Sequence, residues 1–183
     1  MAAARKPLPA LLAFTDPSRT PDVLALARSL PRGAALVYRA FGAPDALAVA
    51  RALRAITRVR GVTLLIGADA GLAVRAGADG VHLPERLAHR AAALKRAHPG
   101  WIVTAAAHGP RASRVRADAL VVSAIFPSRS PSAGPPLGPV RLAILARRAI
   151  APVYALGGVN DKTARRLLPT GVIGIAAVEG LRT

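Results

Sequence analysis

Two glycines, Gly157 and Gly158, end the apolar run Pro152-Val-Tyr-Ala-Leu-Gly-Gly-Val159, and a second run follows, Thr170-Gly-Val-Ile-Gly-Ile-Ala-Ala-Val-Glu179. Each reads as a short strand buried on both faces. A strand that stops at Gly-Gly before a helix, here 160–168, leaves backbone N–H groups with no side chain to block a phosphate oxygen. The spacing points to anion binding, with plain turn formation as the simpler reading. Arg39 closes another apolar run, and its planar, always charged fork suits an anionic ligand or a salt bridge to Asp16 or Glu85. His108 ends a strand-like run and is the acid–base candidate. His82, inside Gly80-Val-His-Leu83, reads as a hydrogen-bonded core residue, and His89 and His98 as solvated helix residues. Ser128 and Ser130 could bind a phosphate or cap turns. No His and carboxylate spacing matches a metal site, so no metal ligand is assigned.

The composition bounds these choices. With 183 residues the chain reads as one domain, 1–183, with a single substantial core. Hydrophobic residues make up 52% and aromatics only 3%, so Ala, Val, Leu and Ile must build that core. Arg and Asp interrupt every apolar run well short of the roughly 18–20 residues of a membrane span. The first residues show no signal-peptide core, and the absence of cysteine excludes disulfides and thiolate chemistry. A cytoplasmic globular protein is expected.

A net charge of +17 attracts polyanions. All but three of the 26 basic residues are Arg, however, and they are spread over nearly every expected helix. That dispersion favours a solvated outer ring over a nucleic-acid face, and an anionic small molecule suits it equally. An exposed Ala-rich helix could serve a homo-oligomer.

Apolar runs alternate with amphipathic segments along the whole chain. Strands are expected at 11–15, 35–41, 63–66, 80–83, 101–107, 119–126, 153–156 and 172–178. Helices are expected at 21–30, 44–59, 71–76, 87–97 and 139–149, with a short helical turn at 110–116. Pro21 would sit in the first turn of its helix. Strict alternation implies parallel pairing through crossovers, and eight units close a (β/α)8 TIM barrel. The barrel would be short and lack a full final helix, with an open doubly wound sheet as the alternative. The irregular stretch 128–138 would lie on the face where such barrels work.

Several segments carry a resemblance in the right order. They are Ala13-Phe-Thr-Asp16, Leu36-Val-Tyr-Arg39, Gly77-Ala-Asp-Gly-Val-His-Leu83, Ala117-Asp-Ala119, Ile125-Phe-Pro-Ser128, 152–159 and Gly174-Ile-Ala-Ala-Val178. With them the chain resembles the thiamine phosphate synthase family and its sister branch, the thiazole tautomerases. The resemblance implies a barrel enzyme joining an aminopyrimidine diphosphate to thiazole phosphate. Magnesium assists loss of pyrophosphate there, and the thiazole nitrogen captures the pyrimidine carbocation.

Position by position, Arg39 matches the family's pyrophosphate-gripping arginine, whereas its Gln and Lys neighbours are Val37 and Phe41 here. The family's Asn-Asp after strand three becomes Gly67-Ala68, and its second metal carboxylate becomes Leu87. Asp69 and Glu85 stand nearby as candidate substitutes. The strand-five Ser is Ala106, and Thr-x-Thr-Lys is Ser128-Arg-Ser130-Pro131. Gly157 and Gly158 are kept; Val178 and Glu179 fall beside the thiazole phosphate, with Glu179 in place of a Ser. The tautomerases' proton-moving His is Ala124. The expected ligand is therefore a small phosphorylated heterocycle, with magnesium as cofactor if the joining reaction survives and none otherwise. A metal-independent binder or isomerase of such a heterocycle is the alternative.

Overall fold

Eight short runs rich in Val, Leu, Ile and Ala pair into one sheet, because each is apolar on both faces and neither face can be left to solvent. A computed structural model describes residues 7–109, 114–128 and 134–178. Its strands are β1 (Leu11–Phe14), β2 (Ala35–Tyr38), β3 (Thr63–Gly67), β4 (Gly80–Leu83), β5 (Ile102–Ala107), β6 (Ala119–Val122), β7 (Val153–Leu156) and β8 (Gly174–Ala177). Every strand lies parallel to the next, and β1 returns to β8 with Leu12 opposite Ala176. The sheet is a closed (β/α)8 barrel, and the open-sheet alternative is excluded.

The connecting helices are α1 (Val23–Ser29), α2 (Ala46–Arg60), α3 (Ala70–Ala76), α4 (Ala91–Ala97), α5 (Gly138–Arg148) and α6 (Asp161–Ala164). Among the described residues, no helix is long and apolar enough to cross a membrane. Local chemistry sets their ends. Asp22 caps α1 by accepting from the Ala25 amide at 2.8 Å, so Pro21 lies outside the helix rather than in its first turn. Gly61 and Gly77 end α2 and α3 in the left-handed region, at φ 65° and 63°. The segment expected as one helix at 87–97 begins as a 3-10 turn, Glu85–Arg90, before α4. Likewise α6 tightens into a 3-10 turn, Arg165–Thr170, that holds Pro169. The expected turn at 110–116 lies largely outside the described residues, as does any segment after 178.

Several strands are shorter than their apolar runs, β8 among them, which spans Gly174–Ala177 of the expected 172–178. β2 stops at Tyr38, and Phe41 takes a left-handed φ of 48°. β6 stops at Val122, after which the Ile125 and Phe126 amides donate to the Leu156 and Gly157 carbonyls, each at 3.0 Å.

Alternation along the strands divides the core in two. Leu12, Phe14, Val37, Leu65, Val121 and Tyr154 fill the barrel, while residues such as Leu36, Leu64, Val103 and Leu120 face the helices. Two aspartates latch the rim where strands begin. Asp79 Oδ2 accepts from the Leu64 amide at 3.0 Å and from Arg54 at 2.7 Å. Asp118 Oδ2 repeats the arrangement with the Val103 amide and Lys95, both at 2.9 Å. Each ties a strand, its neighbour and a helix together, so the Asp residues of the Gly-Ala-Asp-Gly and Ala-Asp-Ala segments are structural.

Tyr154 is the bulkiest fully buried side chain, and its hydroxyl donates to the Pro9 carbonyl at 2.5 Å. Its register partner on β8 is Gly174. A Cβ on Gly174 would lie 2.2 Å from the Ala10 carbonyl oxygen and 2.9 Å from the Tyr154 ring. Gly174→Val should therefore cost about 3 kcal/mol or more, because the rigid chain of β1 cannot give way. Gly100→Ala, with nothing within 4 Å of the new carbon, should stay within about 0.5 kcal/mol of the wild type. Denaturant melts of both variants check this, and equal midpoints for the two would contradict it.

Candidate functional site

Parallel closure brings the residue after each strand to a single rim, the end of such barrels where chemistry is placed. Arg39 follows β2 and leans across to β1. Its Nε donates to the Thr15 carbonyl at 2.6 Å, its amide donates to Thr15 Oγ1 at 2.9 Å, and Nη2 reaches Asp16 Oδ2 at 3.1 Å. Asp16 also receives Arg19 at 3.1 Å and the Ser18 hydroxyl at 2.6 Å. The Arg19 and Ser18 hydrogen bonds hold its carboxyl well below the usual carboxylate range. Nη1 of Arg39 has no hydrogen-bond partner among the described residues. The guanidinium rests between Phe14 and Phe41, 5.7 and 5.2 Å from their ring centres.

The end of β3 explains why Gly67 suits this chain. A Cβ there would stand 3.0 Å from Cγ of Arg39, whose stem crosses over that position. Ala68 follows at φ 65°, a left-handed conformation that costs a residue with a β-carbon about 1–2 kcal/mol. Its amide donates to the His82 carbonyl at 2.8 Å. Asp69 then turns to cap α3, accepting from the Leu72 amide at 2.8 Å.

Among the described residues at this rim, the carboxylates do not converge as a magnesium ion requires. A hard divalent cation needs several converging oxygens. Asp16 is committed to two arginines, Asp69 to a helix N-terminus and Glu85 to a histidine. Among the described residues, no group of three or more His, Asp or Glu side chains could hold a metal.

Past β4, β5 and β6 stand Glu85, His108 and Ser123. Glu85 Oε2 meets His108 Nδ1 at 2.7 Å, and Oε1 accepts from the His108 amide at 3.4 Å. Ser123 Oγ lies 3.2 Å from His108 Nε2. The sequence singled out His108 and Glu85 separately and missed Ser123, which it absorbed into a strand running to 126. The usable signal was position: all three lie one or two residues beyond consecutive strand ends. His82, by contrast, sits inside the barrel, with Nδ1 3.0 Å from Thr104 Oγ1 and its ring edge-on to Phe14.

Across the rim, Gly157 and Gly158 follow β7 with φ of 95° and 66°. No described group accepts a hydrogen bond from the amides of Gly157, Gly158 or Val159. The Gly158 carbonyl accepts from Thr163 Oγ1 at 3.0 Å, and the Asn160–Thr163 capping box fixes where α6 starts. Glycine is also required sterically, because a Cβ at 158 would meet the Pro127 carbonyl oxygen at 2.5 Å and Phe126 Cβ at 2.7 Å. That packing brings Ser128, the next residue after Pro127, toward the same end of β7. Val178 follows β8 and packs with Leu156 on the inner core. Ser130 and Glu179 lie outside the described residues.

A family model described as thiamine monophosphate synthase matches residues 11–181. The thiamine-phosphate synthase of Alcanivorax borkumensis is 31% identical over 93% of this chain and 84% of its own. The putative thiamine-phosphate synthase 2 of Aquifex aeolicus is 29% identical over 93% and 96%. The solved thiamine phosphate pyrophosphorylase from Pyrococcus furiosus superposes with a TM-score of 0.75 and 27% identity, covering 93% of this chain and 85% of that one.

Burial inside the barrel, aided by the Arg39 charge, depresses the His82 imidazole from its ordinary value of 6.5 to about 3. The unfolded chain therefore binds a proton on His82 at a pH where the folded chain does not. This contribution to stability is complete above about pH 6.5 and declines toward pH 3, by up to about 1.4 kcal/mol per unit. Thermal melts between about pH 6.5 and pH 5 should show a falling midpoint, with a shallower slope in His82→Asn. Parallel slopes in the two proteins would contradict the assignment.

Proposed function

We propose, from the premise that this chain belongs to the thiamine monophosphate synthase family, that it serves thiamine biosynthesis by holding a phosphorylated thiazole at the rim of its barrel. The observation that carries this reading is the run of amides from Gly157 to Val159, unclaimed by any described acceptor and set beside Val178 at the end of β8. Backbone N–H groups converging on one point suit a phosphate, and glycine keeps the approach open. Ser128 would add a hydroxyl contact, and Val178 would border the ligand. The cytoplasm is the compartment this reading takes.

The reaction so assigned is the joining of an aminopyrimidine diphosphate to thiazole phosphate, with pyrophosphate leaving. Arg39 would meet the departing diphosphate through Nη1 while Asp16 and Thr15 keep the rest of its fork in place. His108, oriented by Glu85, is the proton-handling group on the opposite side of the rim.

A second reading is favoured by the engagement of the described rim carboxylates, Asp16, Asp69 and Glu85. Here the protein binds or isomerises the phosphorylated heterocycle and does not join two substrates. Purified protein given both substrates, with and without magnesium, separates the two. Thiamine phosphate formed above the enzyme-free background supports the first reading. Calorimetric binding of thiazole phosphate without product supports the second, and neither product nor binding removes both. Inorganic phosphate should compete with thiazole phosphate in that titration. Gly158→Asp, whose Cβ would meet the Pro127 carbonyl oxygen at 2.5 Å and whose carboxylate would face the phosphate, should weaken binding at least about tenfold, since the turn must shift and like charges repel. Its melting curve, recorded in parallel, shows whether the variant is folded.

A further inference from the structure

We infer that Glu85, His108 and Ser123 form a nucleophilic unit, in which Ser123 Oγ is a nucleophile toward small carboxylic esters bearing an anionic group. This goes beyond the handling of thiazole phosphate and shares only His108 and Glu85 with the site proposed for it. A serine hydroxyl is a weak nucleophile until a base takes its proton, and the base must be held in one orientation by a third group. The three side chains supply those parts in order. Glu85 grips His108 twice, through Nδ1 at 2.7 Å and through its backbone amide at 3.4 Å. A carboxylate facing Nδ1 puts the imidazole proton there, so Nε2 carries the lone pair and accepts from Ser123 Oγ at 3.2 Å.

Placement supports reactivity over a structural role. The residues stand past the ends of three consecutive strands, on the rim where substrates arrive. The His108 and Glu85 side chains are 50% and 47% exposed, so the constellation is open to a ligand. A purely structural ion pair of that exposure contributes little to stability. Glu85 also borders a cavity of about 490 Å³ whose other walls include His89, Arg114 and Arg116. Two arginines there, within a chain of net charge +17, favour an acyl group that carries a negative charge.

The chemistry balances without a metal or an oxidant. Ser123 Oγ bonds to the ester carbonyl carbon as its proton passes to His108 Nε2. The carbon–oxygen bond to the alcohol then breaks, and the alcohol leaves with that proton. Water attacks the acyl-serine while His108 takes a proton from it. The carbon–Oγ bond breaks, Ser123 regains the proton, and a carboxylic acid departs. The sum is ester plus water giving acid plus alcohol.

Full-length protein treated with an alkyl fluorophosphonate, a probe that phosphonylates activated serines, should gain one adduct that peptide mapping assigns to Ser123. Ser123→Ala should gain none. The labelling rate should fall at least about a hundredfold in His108→Gln and at least about tenfold in Glu85→Gln, as expected when members of one catalytic unit are removed. 4-Nitrophenyl hemisuccinate should be hydrolysed with a higher kcat/KM than 4-nitrophenyl acetate. An unlabelled wild-type protein, an adduct elsewhere, or an unchanged rate in His108→Gln would overturn the nucleophile. Equal kcat/KM for the two esters would overturn the anionic class.

Discussion

Closure of β8 onto β1 is the constraint on which the other features rest. The contact is close enough that the Ile175 amide donates to the Ala10 carbonyl at 3.0 Å and Gly174 has no room for a side chain. Tyr154 fills the space that Gly174 leaves and ties the barrel to Pro9, so one bulky ring and one bare backbone define the seam. Once the seam is shut, strand direction alone sorts the residues. Those that precede strands gather at one end, where Asp79 and Asp118 bind backbone amides and helix cations. Those that follow strands gather at the other, where Arg39, His108, Ser123 and Gly157 stand. Stability and chemistry are thus separated by the length of a strand, as parallel barrels permit.

The count and order of strands were legible because a strand buried on both faces is a continuous apolar run, and Asp, Gly or Pro interrupts each run. Strand ends were less legible for the same reason. Ile125 and Phe126 prolong the apolar run of β6, yet their amides turn to the Leu156 and Gly157 carbonyls, a pairing that no local pattern encodes. That ambiguity hid Ser123. The core role of His82 could be read from its apolar neighbours, and Asp16 stood among the anticipated partners of Arg39. The pairing of Glu85 with His108 could not be read, since 23 residues separate them and only adjacency of β4 and β5 brings them together.

Gly67 and the ion pair of Arg39 depend on one another. With glycine at 67, the stem of Arg39 lies over β3 and its fork closes on Asp16 and Thr15. A side chain at 67 would require that arginine to move. The glycine at one strand end and the ion pair at its neighbour are therefore one arrangement, in which Nε and Nη2 of the guanidinium are engaged by the chain itself.

What remains to attract an anion at the rim is mostly dipolar. Asp16 is matched by Arg19 and Arg39, and Glu85 is held by hydrogen bonds to His108. The arginines that give the chain its charge are dispersed over the outer helices and raise the concentration of anions near the whole surface without directing them to one place. Surface charges separated by more than about 8–10 Å from a site are screened at physiological salt, whereas amides in contact with a bound phosphate are not. On the proposed reading, selection at the end of β7 would come from the short-range geometry of Gly157, Gly158 and Val159, and the long-range charge would affect how often an anion arrives rather than which one stays.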